Sequence, residues 1–117
     1  MSNTLMQKAR EIYERLIEII AAGEFYWYAQ ASDYQGKYSF SADYDKSFKS
    51  DYNEKAAICR ETAEQMKQTA FPEDESSLIK FLEKLKADLH GFDELVRAKA
   101  EFQELMLVFD EIIAKLN

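Results

Sequence analysis

Apolar positions recur at alternating spacings of four and three along most of this chain. Leu5, Ala9, Ile12, Leu16 and Ile19 trace one such seam, the repeat of a helix with a buried face. Met6, Tyr13, Ile17 and Ile20 widen it, which predicts a central first helix over about 4–22, packed on more than one side. Asn3 or Thr4 can cap its start. Ala21-Ala22-Gly23 supplies its stop, with the glycine free to take the left-handed cap.

A second seam runs through Tyr52, Ala56, Cys59, Ala63, Met66 and Ala70, predicting helix 2 over about 48–70, with its start near Ser47 or Ser50. Its residues are small, so a neighbouring backbone can come close. The face is expected either to pack tightly on helix 1 or to form a contact between subunits. Phe71-Pro72 ends the helix, because the residue before proline is pushed out of the helical region. Glu73-Asp74-Glu75-Ser76 then reads as a new start, with acidic side chains near the positive end of the dipole. Leu78, Leu82, Leu85 and Leu89 continue as helix 3 over about 75–90, and Leu95, Ala98, Phe102, Leu105, Phe109, Ile112 and Leu116 as helix 4 over about 93–116. In this reading Gly91 is a left-handed cap, and Asp93 opens the last helix. An unbroken helix from 76 to 116 competes, but the apolar phase slips near Phe92, which favours a break.

The stretch between helices 1 and 2 has a different rhythm. Phe25-Tyr26-Trp27-Tyr28 is aromatic and suits a pleated surface better than a helix. Tyr38, Phe40, Ala42 and Tyr44 alternate with Ser39, Ser41 and Asp43, a period of two. Ser32 to Lys37 contains the Asp and Gly of a turn. A β-hairpin over about 25–45 is the expectation, with a longer helix 1 followed by an aromatic loop as its rival. The expected fold is therefore mainly α, an antiparallel three- or four-helix bundle with a hairpin between helices 1 and 2. The 117 residues suffice for a single domain and one core.

Charge narrows the partners. The formal net charge is −7 with no basic cluster, which disfavours nucleic acid because that binding needs counterion release by a basic patch. A basic protein partner suits the same charge, although acidity also serves plain solubility. No apolar run approaches the ~20 residues that span a bilayer, and the N-terminal residues lack a signal-peptide pattern. The expectation is a cytoplasmic protein that engages no membrane. Cys59 is the sole cysteine, so no intrachain disulfide can form.

No catalytic residue, metal site or cofactor site emerges. His90 and Cys59 cannot supply the several ligands that zinc needs. His90 reads as a helix C-terminal residue that the dipole favours in its charged form, and Cys59 as a small hydrophobe on the seam of helix 2. Glu11, Glu14 and Glu18 share one side of helix 1 with Lys8, Arg10 and Arg15 interleaved, the pattern of a solvated face. The three glycines are isolated, so no phosphate cradle is present.

What stands out is aromatic crowding. Six of the seven tyrosines and the only Trp lie between residues 26 and 52, and Tyr and Trp dominate interface hot spots. Tyr26, Trp27, Tyr28, Tyr34, Tyr38 and Tyr44 are the candidate partner-binding residues. The expected function is a non-enzymatic protein-binding domain that masks or inhibits another protein, in the manner of an inhibitor, immunity protein or secretion chaperone. One rival is a structural or regulatory subunit, including a homodimer through the small-residue seam of helix 2. Another is a small-ligand binder or enzyme with a pocket between helices, for which a desolvated carboxylate such as Glu24 would be the sign.

Overall fold

A computed structural model describes residues 2–38 and 46–117, with side chains over 4–36 and 50–117. Four helices make it up: α1 (Ser2–Tyr38), α2 (Lys46–Gln68), α3 (Glu75–Asp88) and α4 (Lys99–Leu116). There is no strand among the described residues. The mainly α expectation holds, and the hairpin does not. Its first strand and its turn both lie inside α1, which runs unbroken to Tyr38. The alternating stretch 39–45, Tyr44 included, falls outside the described residues.

The reason is visible along α1. Buried Ala9, Ile12, Tyr13, Leu16, Ile19 and Ile20 are followed by Trp27 and Ala31, and Gly23 is buried between them. The four-three seam thus passes straight through the glycine. Aromatic residues lose at most about 0.7 kcal/mol each in helix propensity. Burying one large side chain returns about 1.5–3 kcal/mol, so a partner surface for Trp27 decides the matter. That partner is α2: the Trp27 and Tyr52 rings stack with centroids 5.6 Å apart, and Tyr34 meets Tyr52 edge-on at 6.4 Å.

Gly23 is therefore no helix stop, and no glycine among the described residues has positive φ. A Cβ at Gly23 would lie 2.8 Å from Cys59 Sγ and 3.1 Å from Leu95 Cδ2. Glycine serves here because two neighbouring elements come closer than any side chain would allow. The small seam of α2 is used the same way, with Ala56, Cys59, Ala63 and Met66 all buried. Pairing Tyr13 with Met66, Gly23 with Cys59 and Trp27 with Tyr52 shows that α1 and α2 run antiparallel.

α1 is the hub. It packs on each of the other three helices, whereas the backbone of α2 approaches neither α3 nor α4 among the described residues. At about 1.5 Å per residue its 37 residues make a rod of roughly 55 Å, and the molecule measures 62 × 24 × 19 Å. The radius of gyration, 17.5 Å, exceeds the roughly 13 Å of a compact domain of this length. The core is apolar throughout the described residues, with Leu16, Ile20, Leu78, Leu82, Phe109 and Ile112 almost wholly enclosed. Rings of Tyr13, Phe71 and Phe81 close one side, with centroids 5.3–5.7 Å apart.

The predicted start of α3 is present: Asp74 accepts a hydrogen bond from the Ser77 N–H at 2.8 Å and from the Ser76 hydroxyl at 2.9 Å. These bonds hold its carboxyl below the usual carboxylate range. The break before α4 is also present but longer than expected. Gly91 is not a left-handed cap, and Asp93 caps nothing, since α4 begins at Lys99 behind Ala98. Residues 89–98 are instead pinned by tertiary contacts. Trp27 Nε1 donates to the Glu94 carbonyl at 2.6 Å, Leu95 is buried, and the Phe92 and Phe102 rings lie 5.8 Å apart. A carbonyl held by Trp27 and a leucine plugged beside Gly23 place this stretch on α1 instead of in the first turns of α4.

Candidate functional site

The pinned loop and α1 enclose an apolar groove. A helix presents side chains three and four apart on one face, so the aromatic run of α1 fans out in three directions. Trp27 and Ala31 turn inward and are buried. Glu24 and Tyr28 both meet Arg60 of α2, whose guanidinium lies 3.5 Å from the Glu24 carboxylate and donates to the Tyr28 hydroxyl at 3.2 Å. Phe25, Tyr26, Ala29 and Gln30 remain, and they face Glu94 to Ala98 across a groove of about 370 Å³. Ala22 and Gly23 keep its floor low.

Two rim residues are apolar and open to solvent: Phe25 is 71% exposed and Val96 51%. Tyr26 is half-buried, its ring edge-on to Trp27 at 5.0 Å and covered by the Arg97 guanidinium at 5.3 Å. Isolated exposed hydrophobes are ordinary, but several around one concavity form a patch. Leu107, the other strongly exposed aliphatic residue among those described, at 62%, lines neither this groove nor the two set out below.

The six aromatic residues singled out by sequence are thus not one surface. Trp27 belongs to the core, Tyr26 to the groove, and Tyr28 to the Arg60 cluster, where it is 38% exposed. Tyr34 packs on Tyr52. Tyr38 closes α1 with its side chain outside the described residues, as Tyr44 is altogether. Phe25, Val96 and Arg97 were missed. Phe25 was legible only once α1 is known to continue, since it then falls off the buried stripe. For Val96 and Arg97 the sequence carries no signal, because a loop residue's exposure follows from how the loop docks.

Two further concavities flank the helices. Between α2 and α3 lies a space of about 230 Å³ with Met66, Leu85 and Phe92 at its base and Thr69, Lys84 and Asp88 among its edges. Tyr13 also lines it, but its hydroxyl is committed, donating to the Met66 carbonyl at 2.6 Å, and burial raises its pKa above the usual phenol value. On the other side of Glu94, a groove of about 400 Å³ is lined by Asp51, Tyr52, Glu54, Lys55, Ile58 and Glu94.

Several other ionisable groups tie elements together or lie enclosed. Arg15 donates to both carboxylate oxygens of Glu101, one at 2.9 Å, and to Glu18 at 3.0 Å, tying α1 to α4 and holding the Glu101 carboxyl below its ordinary range. Lys86 and Asp110 pair between α3 and α4. The Cys59 thiol is fully enclosed. Burial first, then the nearby Glu94 and Glu24 carboxylates, push it up to about 11, so it is a poor nucleophile at neutral pH. Glu24 sits in none of the concavities described. Among the described residues no three His, Cys, Asp or Glu side chains are placed to hold a metal ion, and no helix is long and apolar enough to cross a membrane. No family model matches the chain, and no curated protein or solved structure matches it either.

Proposed function

We propose that this chain is a non-enzymatic protein-binding domain that masks a partner protein, and that the groove between α1 and residues 94–98 is where the partner docks. One observation carries the reading: Phe25 and Val96, 71% and 51% exposed, rim a single apolar groove, whereas among the described residues only Tyr28 and Leu107 of the other large apolar side chains are exposed. Exposed apolar surface costs solubility unless something covers it, and an aromatic anchor in a cleft is the usual form of an interface hot spot. The acidic surface makes a protein a better partner than a nucleic acid. A cytoplasmic setting belongs to the same reading, resting on the unpaired Cys59.

The homodimer alternative began from the small-residue seam of α2, and that seam faces α1. A regulatory subunit would use the same groove as a masking domain. The small-ligand alternative has the space between α2 and α3, but the hydroxyl of Tyr13 is already committed there.

Photo-crosslinking tests the groove. A benzophenone amino acid at position 25 or 96 is expected to trap one partner at defined stoichiometry from cells that make the protein, and the same probe at position 107 is not. F25S/V96S should abolish capture while leaving the thermal transition in place. Equal trapping from all three positions, or full capture by F25S/V96S, would remove the groove from the function.

A further inference from the structure

The apolar groove has an acidic neighbour, and the two share a wall. Glu94 lines both, with Phe25, Tyr26 and Val96 on one side and Asp51, Glu54 and Lys55 on the other. Its backbone is held from beneath by Trp27, whose ring also lies against Tyr26 and Tyr52. A chain crossing Glu94 would therefore pass from a greasy concavity to a charged one over a fixed ridge.

The charges are unevenly engaged. Both nearby cations rest on aromatic faces, Lys55 with Nζ 4.6 Å from the Trp27 centroid and Arg97 over Tyr26, where ring quadrupoles already satisfy part of their field. The carboxylates have no such company. Asp51 and Glu54 make no hydrogen bond or ion pair among the described residues, and Glu94 accepts only the neighbouring Asp93 N–H at 2.9 Å. Three carboxylates face one occupied ammonium in the acidic groove. They do not converge as metal ligands do, so the fitting cation is one carried on a long side chain that can reach them singly.

We infer that the two grooves form one docking surface for a protein segment in which a large apolar side chain stands within a few residues of Lys or Arg. The apolar residue enters beside Phe25 and Val96, and the basic one crosses Glu94 to Asp51 and Glu54. This rests on reading the groove as a protein-binding site and adds the partner's chemistry. Complementary charge of this kind sets partner choice and association rate more than raw affinity.

Trp27, the only tryptophan, lies under the ridge and reports on both grooves through its emission. The probes are three short synthetic peptides built from leucine and a polar residue, which is Lys in the first, Gln in the second and Glu in the third. The Lys peptide is expected to bind about tenfold tighter than the Gln peptide, the gain that a few exposed charge pairs supply, and the Glu peptide weakest. D51N/E54Q should erase the preference for Lys. E104Q/E111Q, which neutralises as many charges outside the grooves, should keep it. F25S/V96S should weaken the Lys and Gln peptides alike. Equal binding of the Lys and Gln peptides overturns the inference while leaving a protein-binding groove standing, and so does equal loss in the two charge-neutralised variants, because attraction would then be the molecule's overall field. Binding by none of the three peptides also overturns it. Peptide binding that F25S/V96S does not change overturns both the inference and the function proposed for the groove.

Discussion

Gly23→Ala tests the packing on which the whole arrangement rests. In an open helix interior this change stabilises by about 1 kcal/mol, because alanine loses less backbone entropy on folding. At Gly23 the new methyl would sit 2.8 Å from Cys59 Sγ and 3.1 Å from Leu95 Cδ2, against an ordinary carbon contact of about 3.5–4.0 Å. Cys59 is fully enclosed, so its sulfur cannot swing aside without disturbing neighbours, and overpacking of this kind costs about 1–3 kcal/mol. The two effects oppose each other, and the expected net result is a destabilisation of up to about 2 kcal/mol. Gly36 is the control. It lies in the same helix with nothing within 4 Å of its added Cβ, so Gly36→Ala should stabilise by up to about 1 kcal/mol. Urea denaturation followed by far-ultraviolet circular dichroism measures both. A double-mutant cycle with Cys59→Ala should show favourable coupling of about 1 kcal/mol or more between the two alanines, since the new methyl occupies space the sulfur leaves. If Gly23→Ala stabilises as Gly36→Ala does, and the cycle shows no coupling, α1 and α2 are not as close as described.

Two other outcomes follow from the same core. Trp27→Ala should cost about 3–5 kcal/mol as a core deletion, whereas Tyr28→Ala should stay within about 0.5 kcal/mol; similar small losses in both would place Trp27 at the surface. Cys59 should react slowly with a thiol reagent in native buffer and quickly once unfolded. Its raised thiol pKa also has a sign. Between the unfolded value, about 8.5, and the folded value of about 11, the unfolded chain releases a proton that the folded one keeps. Stability therefore falls as pH rises through that window. The difference between wild type and Cys59→Ala should move against wild type from pH 8 to pH 10, and a difference that does not change with pH would show the thiol is not held protonated.

Helices α2 and α3 and the body of α4 were readable from local rules, whereas the start of α4 was not, since it begins at Lys99 and not at Asp93. Their apolar seams keep a four-three spacing, Asp74 caps α3 as its side chain allows, and Pro72 and the phase slip at Phe92 mark real breaks. The same rules misread residues 23–38. A glycine after two alanines resembles a stop, and an aromatic run resembles a strand, because both readings weigh one residue's preference against its immediate neighbours. The seam of Ile20, Gly23, Trp27, Ala31 and Tyr34 was present in the sequence at helical spacing, yet its glycine counts as apolar only when another helix is known to press on it.

Amphipathic periodicity, net charge and the scarcity of His and Cys are properties of the chain itself, and the periodicity determined the helical class. How far α1 extends, which aromatic rings are enclosed and where apolar surface remains open depended on α2 and residues 89–98 meeting α1. Each of those contacts joins residues far apart in sequence: Gly23 with Cys59, Trp27 with Tyr52 and Trp27 with Glu94. The free energy of burying Trp27 against such partners exceeds the local preferences that oppose it, and no local pattern reveals in advance which partners will be supplied.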